Sequence, residues 1–398
     1  MNACRPVEDG GARGTWRNSF TCPYLDRSTD FAVKATMPSV SCIDLFCGVG
    51  GLTYGLTLQG IDVVAGFDVD PSCRFPYETN NGARFFEADV SCVKPAQLRD
   101  LFGNADVCIL AGCAPCQPFS TYAQRYDTVG TTRWSLLYRF ARLIKSVLPE
   151  IVTMENVPSV ERHEVYGDFV ATLQKLGYAI WHDVVDCSDY GLPQRRRRMV
   201  LLGSRIGPIH LIEPTRKKMM TVRGAIGDLP PIPAGGFSLH DRLHVSSELS
   251  ELNLARIRAS RPGGTWKDWP KRLVADCHRR VAGRTYPSVY GRMSWDEPAP
   301  TLTTQYYGFG NGRFGHPEQD RAISIREGSI LQGFPKHYAF IPEGTPVHFK
   351  SLGRLIGNAV PVMLGRIIGR SIQQHIGAQL RVTRATTLRD ATRRSIVA

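Results

Sequence analysis

Residues 42–51 read Cys42-Ile43-Asp44-Leu45-Phe46-Cys47-Gly48-Val49-Gly50-Gly51. The first five form a short apolar run of strand character, and the glycines that follow make a turn. Helical spacing takes over at residues 52–58, with Gly60 as the stop. A second strand is predicted over 62–67, ending at Asp68. Further strands are predicted at 107–111, 151–154, 179–186 and 199–203, with helices at 135–147 and 166–176. Strands alternating with helices predict an α/β fold: a mostly parallel, Rossmann-like sheet covered on both faces. Glycines at the first strand–helix turn let a ligand approach the backbone, and the helix N-terminus faces it. Asp68 stands where such folds bind ribose hydroxyls. Asp89 is expected to end a third strand and to accept from an adenine amino group. Either carboxylate equally suits a helix cap. With no Walker lysine, the pattern fits an adenosine-bearing ligand without a long phosphate chain.

A second constellation lies further on. The run Val107-Cys108-Ile109-Leu110-Ala111 leads into Gly112-Cys113-Ala114-Pro115-Cys116-Gln117-Pro118-Phe119-Ser120. The turn leaves Cys116 at the carboxyl edge of the sheet, where α/β folds place their ligands. The run Ile151-Val152-Thr153-Met154 ends in Glu155-Asn156-Val157. A thiol and a carboxylate at two strand ends suit addition to an electron-poor ring while an acid steadies a ring nitrogen. Cys113 and Cys116 also form a C-x-x-C, open to reading as a redox pair or half a zinc site. No second C-x-x-C and no histidine at ligand spacing accompany it.

The 398 residues carry a net charge of +13 and 42% apolar residues, enough for a core and a smaller second domain. The charge is knotted at Arg195–Arg198, at Arg216, Lys217 and Lys218, and at Lys271, Arg272, Arg279 and Arg280. That points to nucleic acid, with a solvated basic surface as the plain alternative. The 11 cysteines, odd in number and irregularly spaced, argue against a disulfide framework and for a reducing compartment. No run approaches the roughly 18 apolar residues of a membrane span. Residues 1–39 lack a secretory h-region, so a cytoplasmic location is expected. Those residues read as a poorly ordered extension. Residues 208–300, rich in Pro, Gly, Trp and basic side chains, lose the βα rhythm. Helical patterning returns at 324–332 and 351–376, and 381–398 reads as a basic tail with little apolar face.

Six blocks, in order, resemble the DNA (cytosine-5) methyltransferases. They are 44–52, 112–120, Glu155-Asn156-Val157, 194–198, 326–335 with Leu331-Gln332-Gly333-Phe334-Pro335, and Gly357-Asn358-Ala359-Val360. The resemblance implies an S-adenosylmethionine-dependent fold. Residues 40–207, completed by 346–380, would form the catalytic domain, and 208–345 an inserted target-recognition domain. It implies methyl transfer from S-adenosylmethionine to cytosine C5 in duplex DNA, leaving S-adenosylhomocysteine, with the base flipped out of the helix. Cys116 matches the nucleophile and Glu155 the residue at N3. Arg196 and Arg198 match the paired arginines, one of which bonds the base carbonyl, and Arg196 is expected to be the one that assists Cys116 and Glu155. Asn156 would order the loop. For the cofactor it implies Asp44, Phe46, Gly48, Gly50, Gly51, Leu52, Asp68, Val69, Asp89, Val90, Pro115, Asn358 and Val360, with Pro118 and Leu137 as outer walls. For DNA it implies Gln117, Ser120, Gln194, Arg195, Arg197 and Thr304, with Gln124, Arg125 and Arg133 near the backbone. Arg258, Arg261, Lys267, Arg284 and Arg292 are candidate base readers, while Arg326 would brace the second domain.

Two departures stand out. Pro76 requires the helix after the second strand to start late or bend. Val69 is smaller than the side chain the family often sets over adenine. A monomer is expected, with a restriction endonuclease as a possible companion. Two related readings remain: a transfer RNA methyltransferase, whose hallmark Cys-Phe-Thr is absent, and a catalytically silent DNA-binding relative.

Overall fold

Seven strands, β1 (Val40–Leu45), β2 (Asp62–Asp68), β3 (Arg84–Glu87), β4 (Val107–Gly112), β5 (Ile151–Asn156), β6 (Ala179–Asp186) and β7 (Arg197–Ser204), form one sheet in the order β3-β2-β1-β4-β5-β7-β6. The computed structural model describes residues 38–115, 135–214, 219–280, 283 and 289–397, except the side chains of 135 and 382–397. The expectations for Cys116, Gln117, Pro118, Ser120, Gln124, Arg125, Arg133 and Arg284 lie outside these residues. So do those for residues 1–37.

All neighbouring strands run parallel except at β7, which is antiparallel to both β5 and β6. Period-two alternation sends side chains to opposite faces. Ile43, Leu45, Phe67, Leu110, Val152 and Met154 face one apolar layer. It is built from α3 (Pro95–Phe102), α4 (Ser135–Val147) and α5 (Glu164–Lys175). Cys42, Val63, Ile109, Ala111 and Ile151 face the other. That face is covered by α1 (Gly51–Thr57) and by the final helix, Val362–Val397. Leu364, Ile368, Ile372 and Ile376, four residues apart, make the buried ridge of that final helix.

The expected helix at 351–376 is instead two, α10 (Phe349–Asn358) and α11 (Val362–Val397). Pro361 lacks an N–H and disfavours helical conformation at Val360, so the chain breaks there. The expected tail is helical, since α11 continues to Val397. Residues 349–381 are long and apolar enough to cross a membrane, but 67% of the most apolar window is buried inside the protein. Helix α2 (Arg74–Asn81) does start late: Pro76 falls in its first turn, where an N–H has no intrahelical partner.

Beyond β7 regular structure is sparse: α6 (Val222–Ile226), α7 (Glu251–Arg258), α8 (Asp276–Arg279) and α9 (Ile325–Leu331). Buried polar clasps hold this region. Arg321 meets Glu327 in a bidentate pair at 2.7 Å for each contact, both side chains essentially unexposed. The Glu327 carboxylate also closes a capping box with Ser324 at the start of α9. Residues 38–398 form one compact unit.

Candidate active site

The sheet order reverses between β1 and β4, and ligands of open α/β sheets sit at the carboxyl edge of such a switch point. The turn after β1 is tightly coiled. Phe46, Gly48 and Gly50 all have left-handed backbones, with φ of +58°, +52° and +88°. A phenylalanine held there is strained, a condition that concentrates at functional sites. The Gly48 N–H donates to Asp68 Oδ2 at 2.9 Å, and Asp70 N–H donates to Oδ1 at 2.9 Å. Asp68 therefore shapes the turn and keeps acceptor capacity for ligand hydroxyls.

Asp44 is fully buried behind this turn. Its Oδ2 accepts from the Thr53 hydroxyl at 2.7 Å, while Oδ1 has no hydrogen-bond partner among the described residues. Burial pushes its pKa up to about 7. An orphaned buried carboxylate oxygen fits a ligand that brings a donor or a positive charge. Leu52 is buried just inside α1. Val69 is exposed beside Asp68, at 68%. Asp89 stands two residues beyond β3 and caps a short 3-10 turn through Ser91 N–H at 2.8 Å, with Val90 buried beneath it. Its exposed carboxylate thus does the work of the cap reading while staying at the same edge.

The C-terminal helices return to this edge, as the resemblance implied. A Cβ on Gly51 would lie 2.1 Å from the Val360 carbonyl oxygen. One on Gly55 would meet the Val362 carbonyl oxygen at 2.4 Å. Helices α1 and α11 therefore cross backbone to backbone. Asn358 is exposed at the end of α10, and Arg354 of α10 pairs with Asp70.

On the β4–β5 side, Asn156 Nδ2 donates to the Ala114 carbonyl at 3.1 Å, and Asn156 Oδ1 accepts from Val157 N–H at 2.9 Å. Asn156 thus orders the Cys113–Pro115 segment that leads into Cys116. Burial and the nearby Glu155 carboxylate push the Cys113 thiol up, away from the thiolate form that a nucleophile needs. Glu155 lies at the end of β5 and takes Arg198 Nε at 2.8 Å, both side chains mostly buried. The pairing follows from register. Glu155 sits opposite Val200, so Arg198, two residues away on antiparallel β7, shares its face.

Arg196 has a different setting. Its guanidinium, 3% exposed, donates to the carbonyls of Leu302 and Gly357 at 3.2 Å each, and to Gln194 Oε1 at 3.4 Å. It clasps β7, the Thr301–Thr304 turn and the end of α10. Of the paired arginines, Arg198 is therefore the one beside Glu155.

Gln194 overturns its expected DNA role: it is fully buried. Its Nε2 donates to Leu331 O and Gln332 Oε1, and its Oε1 accepts from Leu302 N–H. Gln332 in turn donates to Ala359 O at 2.6 Å. Both glutamines knit separate blocks together, a role invisible to local pattern. Arg195 is exposed and bonds Glu297 at 2.6 Å; Arg197 is exposed, and Thr304 half-buried.

Among the expected base readers, Arg292 is also corrected. Its guanidinium is buried among the carbonyls of Ile257, Ser260, His316 and Gln319, and pairs with Asp320. Arg258 and Arg261 are exposed but paired with Asp320 and Asp268. Arg326 braces the region as expected, bonding Asp241 at 2.6 Å and Tyr338 O at 3.2 Å. The Arg321–Glu327 clasp escaped the sequence reading, although Ser324-x-x-Glu327 is a capping-box signature.

The family model for C-5 cytosine-specific DNA methylases matches residues 40–374. The chain belongs to that family. This DNA methylase is 52% identical over 339 residues to the type II methylase M.HgiDII of Herpetosiphon aurantiacus, covering 84% of this chain and 95% of the relative. It is 28% identical to the type II methyltransferase M.Sau96I of Staphylococcus aureus, covering 88% and 80%. Among solved structures, a DNA modification methyltransferase encoded within an Escherichia coli prophage superposes with a TM-score of 0.66 at 22% identity, covering 84% and 99%. That likeness bears on the fold, which is the α/β methyltransferase architecture.

Proposed function

We propose that this methylase transfers a methyl group from S-adenosylmethionine to C5 of a cytosine in a specific duplex DNA sequence, with Cys116 as nucleophile. Methylation of cytosine C5 in DNA follows from family membership. The observation that carries the mechanism is the Arg198–Glu155 pair, held beside the segment leading into Cys116. When bound, S-adenosylmethionine supplies an electrophilic methyl group. The turn of Phe46, Gly48 and Gly50, with Asp44, Asp68, Asp89, Asn358 and Val360, would hold it.

The protein's own residues do the rest. The Cys116 thiolate adds to C6 of a flipped-out cytosine, which makes C5 nucleophilic. Glu155 holds N3 and eases the charge created by addition. Arg198 fixes the Glu155 carboxyl and has further N–H groups for the base carbonyl. Once C5 carries the methyl group, its proton passes to solvent water as the C6–S bond breaks, which restores the ring and frees the Cys116 thiolate. Region 208–345 would supply target recognition. A companion restriction endonuclease of the same site fits the type II names of its relatives.

The test uses duplex DNA with 5-fluorocytosine at the methylated position, plus the methyl donor. A covalent protein–DNA adduct mapping to Cys116 is expected. Methylation of ordinary duplex with no adduct at Cys116 would remove the covalent mechanism.

A further inference from the structure

Between Trp266 and Arg279 the chain forms a cleft of about 790 Å³, lined by Trp266, His278 and four cations, Lys267, Lys271, Arg272 and Arg279. Its floor is rigid. The rings of Trp266 and His278 stack with centroids 4.4 Å apart and planes 9° apart, and both residues are buried. Its rim is charged. Lys267, Lys271 and Arg272 are exposed, and none pairs with a carboxylate among the described residues. Arg279 pairs with Asp276 at 3.3 Å and donates to the Lys271 carbonyl at 3.0 Å, which orders the rim.

The contrast with neighbouring arginines is informative. Arg223, Arg258, Arg261, Arg292 and Arg326 all meet aspartates. Positive charge is thus neutralised at these five positions and left open at the cleft. The cleft is also tied to the site. Trp266 shares an apolar cluster with Phe309, downstream of the Thr301–Thr304 turn. Arg196 grips that turn through Leu302, two residues before Arg198.

We propose that this cleft grips the sugar–phosphate backbone of the DNA substrate, positioning the duplex without reading its sequence. The inference rests on the methylase reading and names one of its contact surfaces. Backbone rather than bases follows from the chemistry. The two rings are buried and stacked on each other, so they offer no open platform to a base. Among the described residues no Asn or Gln lines the cleft. Lysine ammonium groups are point charges suited to phosphate, and phosphate contacts position whereas base contacts specify.

The test is a triple variant, Lys267→Gln, Lys271→Gln and Arg272→Gln. Affinity is measured for a duplex that the wild-type protein methylates and for an unrelated duplex, between 50 and 200 mM salt. Thermal melting and S-adenosylmethionine binding report the fold. Each phosphate contact contributes a slope of about −0.9 in log affinity against log salt. Across that range three contacts account for about 40-fold, so the variant should lose about 40-fold less affinity than wild type. Both duplexes should weaken by the same factor. An unchanged slope and affinity, or a loss confined to the methylated duplex, would overturn the backbone grip while leaving the methylase reading intact. A wild-type protein that methylates no duplex would instead overturn the parent reading.

Discussion

Replacing Arg196 by methionine separates a structural clasp from a catalytic group, because its guanidinium and that of Arg198 have such different partners. Methionine fills part of the space but leaves the Leu302 and Gly357 carbonyls without their buried donor. A hydrogen bond to a charged group contributes roughly 1.5–3 kcal/mol, so losing two costs about 4 kcal/mol. At roughly 2.1 cal/mol/K per residue, the 361 residues from 38 to 398 carry an unfolding entropy near 0.76 kcal/mol/K. The midpoint of thermal unfolding should therefore fall by about 5 °C. Well below that midpoint, single-turnover methylation per folded molecule should stay within about 3-fold of wild type. Arg198→Met, which strips Glu155 of its partner, should lose about 100-fold or more, the scale of a positioned acid–base group. The assays are scanning calorimetry and rapid-quench methylation at 15 °C. An Arg196→Met protein with an unshifted midpoint and a 100-fold slower rate would refute the assignment and return Arg196 to the base.

Four further outcomes are expected. Cys116→Ala should abolish methyl transfer while cofactor affinity, measured calorimetrically, changes little; retained turnover would take Cys116 out of the mechanism. Asp44, raised to about 7, holds a proton in the folded chain that it gives up when unfolded. The folded state therefore binds more protons between pH 4 and 7, and stability should fall as pH rises through that window. Asp44→Asn should flatten the fall, read as denaturant midpoint against pH; an unaltered profile would exclude Asp44 as its source. If a cationic ligand meets Asp44, S-adenosylmethionine binding at pH 6 should release protons, seen as a buffer dependence of the binding enthalpy. Equal enthalpies in all buffers would deny that contact. Gly365→Leu should undo the α1–α11 crossing, where even a Cβ would lie 2.6 Å from the Leu52 carbonyl oxygen. Overpacking of this kind costs about 1–3 kcal/mol. Cofactor affinity should fall along with thermal stability, and wild-type values in both would refute the close approach.

The first strand–turn–helix unit was legible because its signals are local. An apolar run, glycines where left-handed backbone is needed, and a carboxylate closing the next strand all lie within 27 residues, from Asp44 back to Cys42 and on to Asp68. Helix α4 matched its predicted bounds, 135–147, since its apolar spacing is regular. The break at Pro361 was also written locally, although periodicity on either side masked it. The burial of Gln194 and Arg292 was not. A polar side chain carries the same local signature whether it meets solvent, DNA or the carbonyls of a distant loop. Those partners lie 108 residues away for Gln194 at Leu302 and 35 for Arg292 at Ile257.

By itself the sequence determined the α/β class, the glycine turn after the first strand, and the family. Each rests on periodicity or on residues close together in the chain. Only the tertiary structure decided which arginine stands beside Glu155. That choice depends on β7 running antiparallel to β5, which carries its first residues to the edge where β5 ends. Strand direction leaves no trace in apolar alternation, which reads the same both ways. It is settled by which long-range backbone hydrogen bonds and buried faces can be satisfied together.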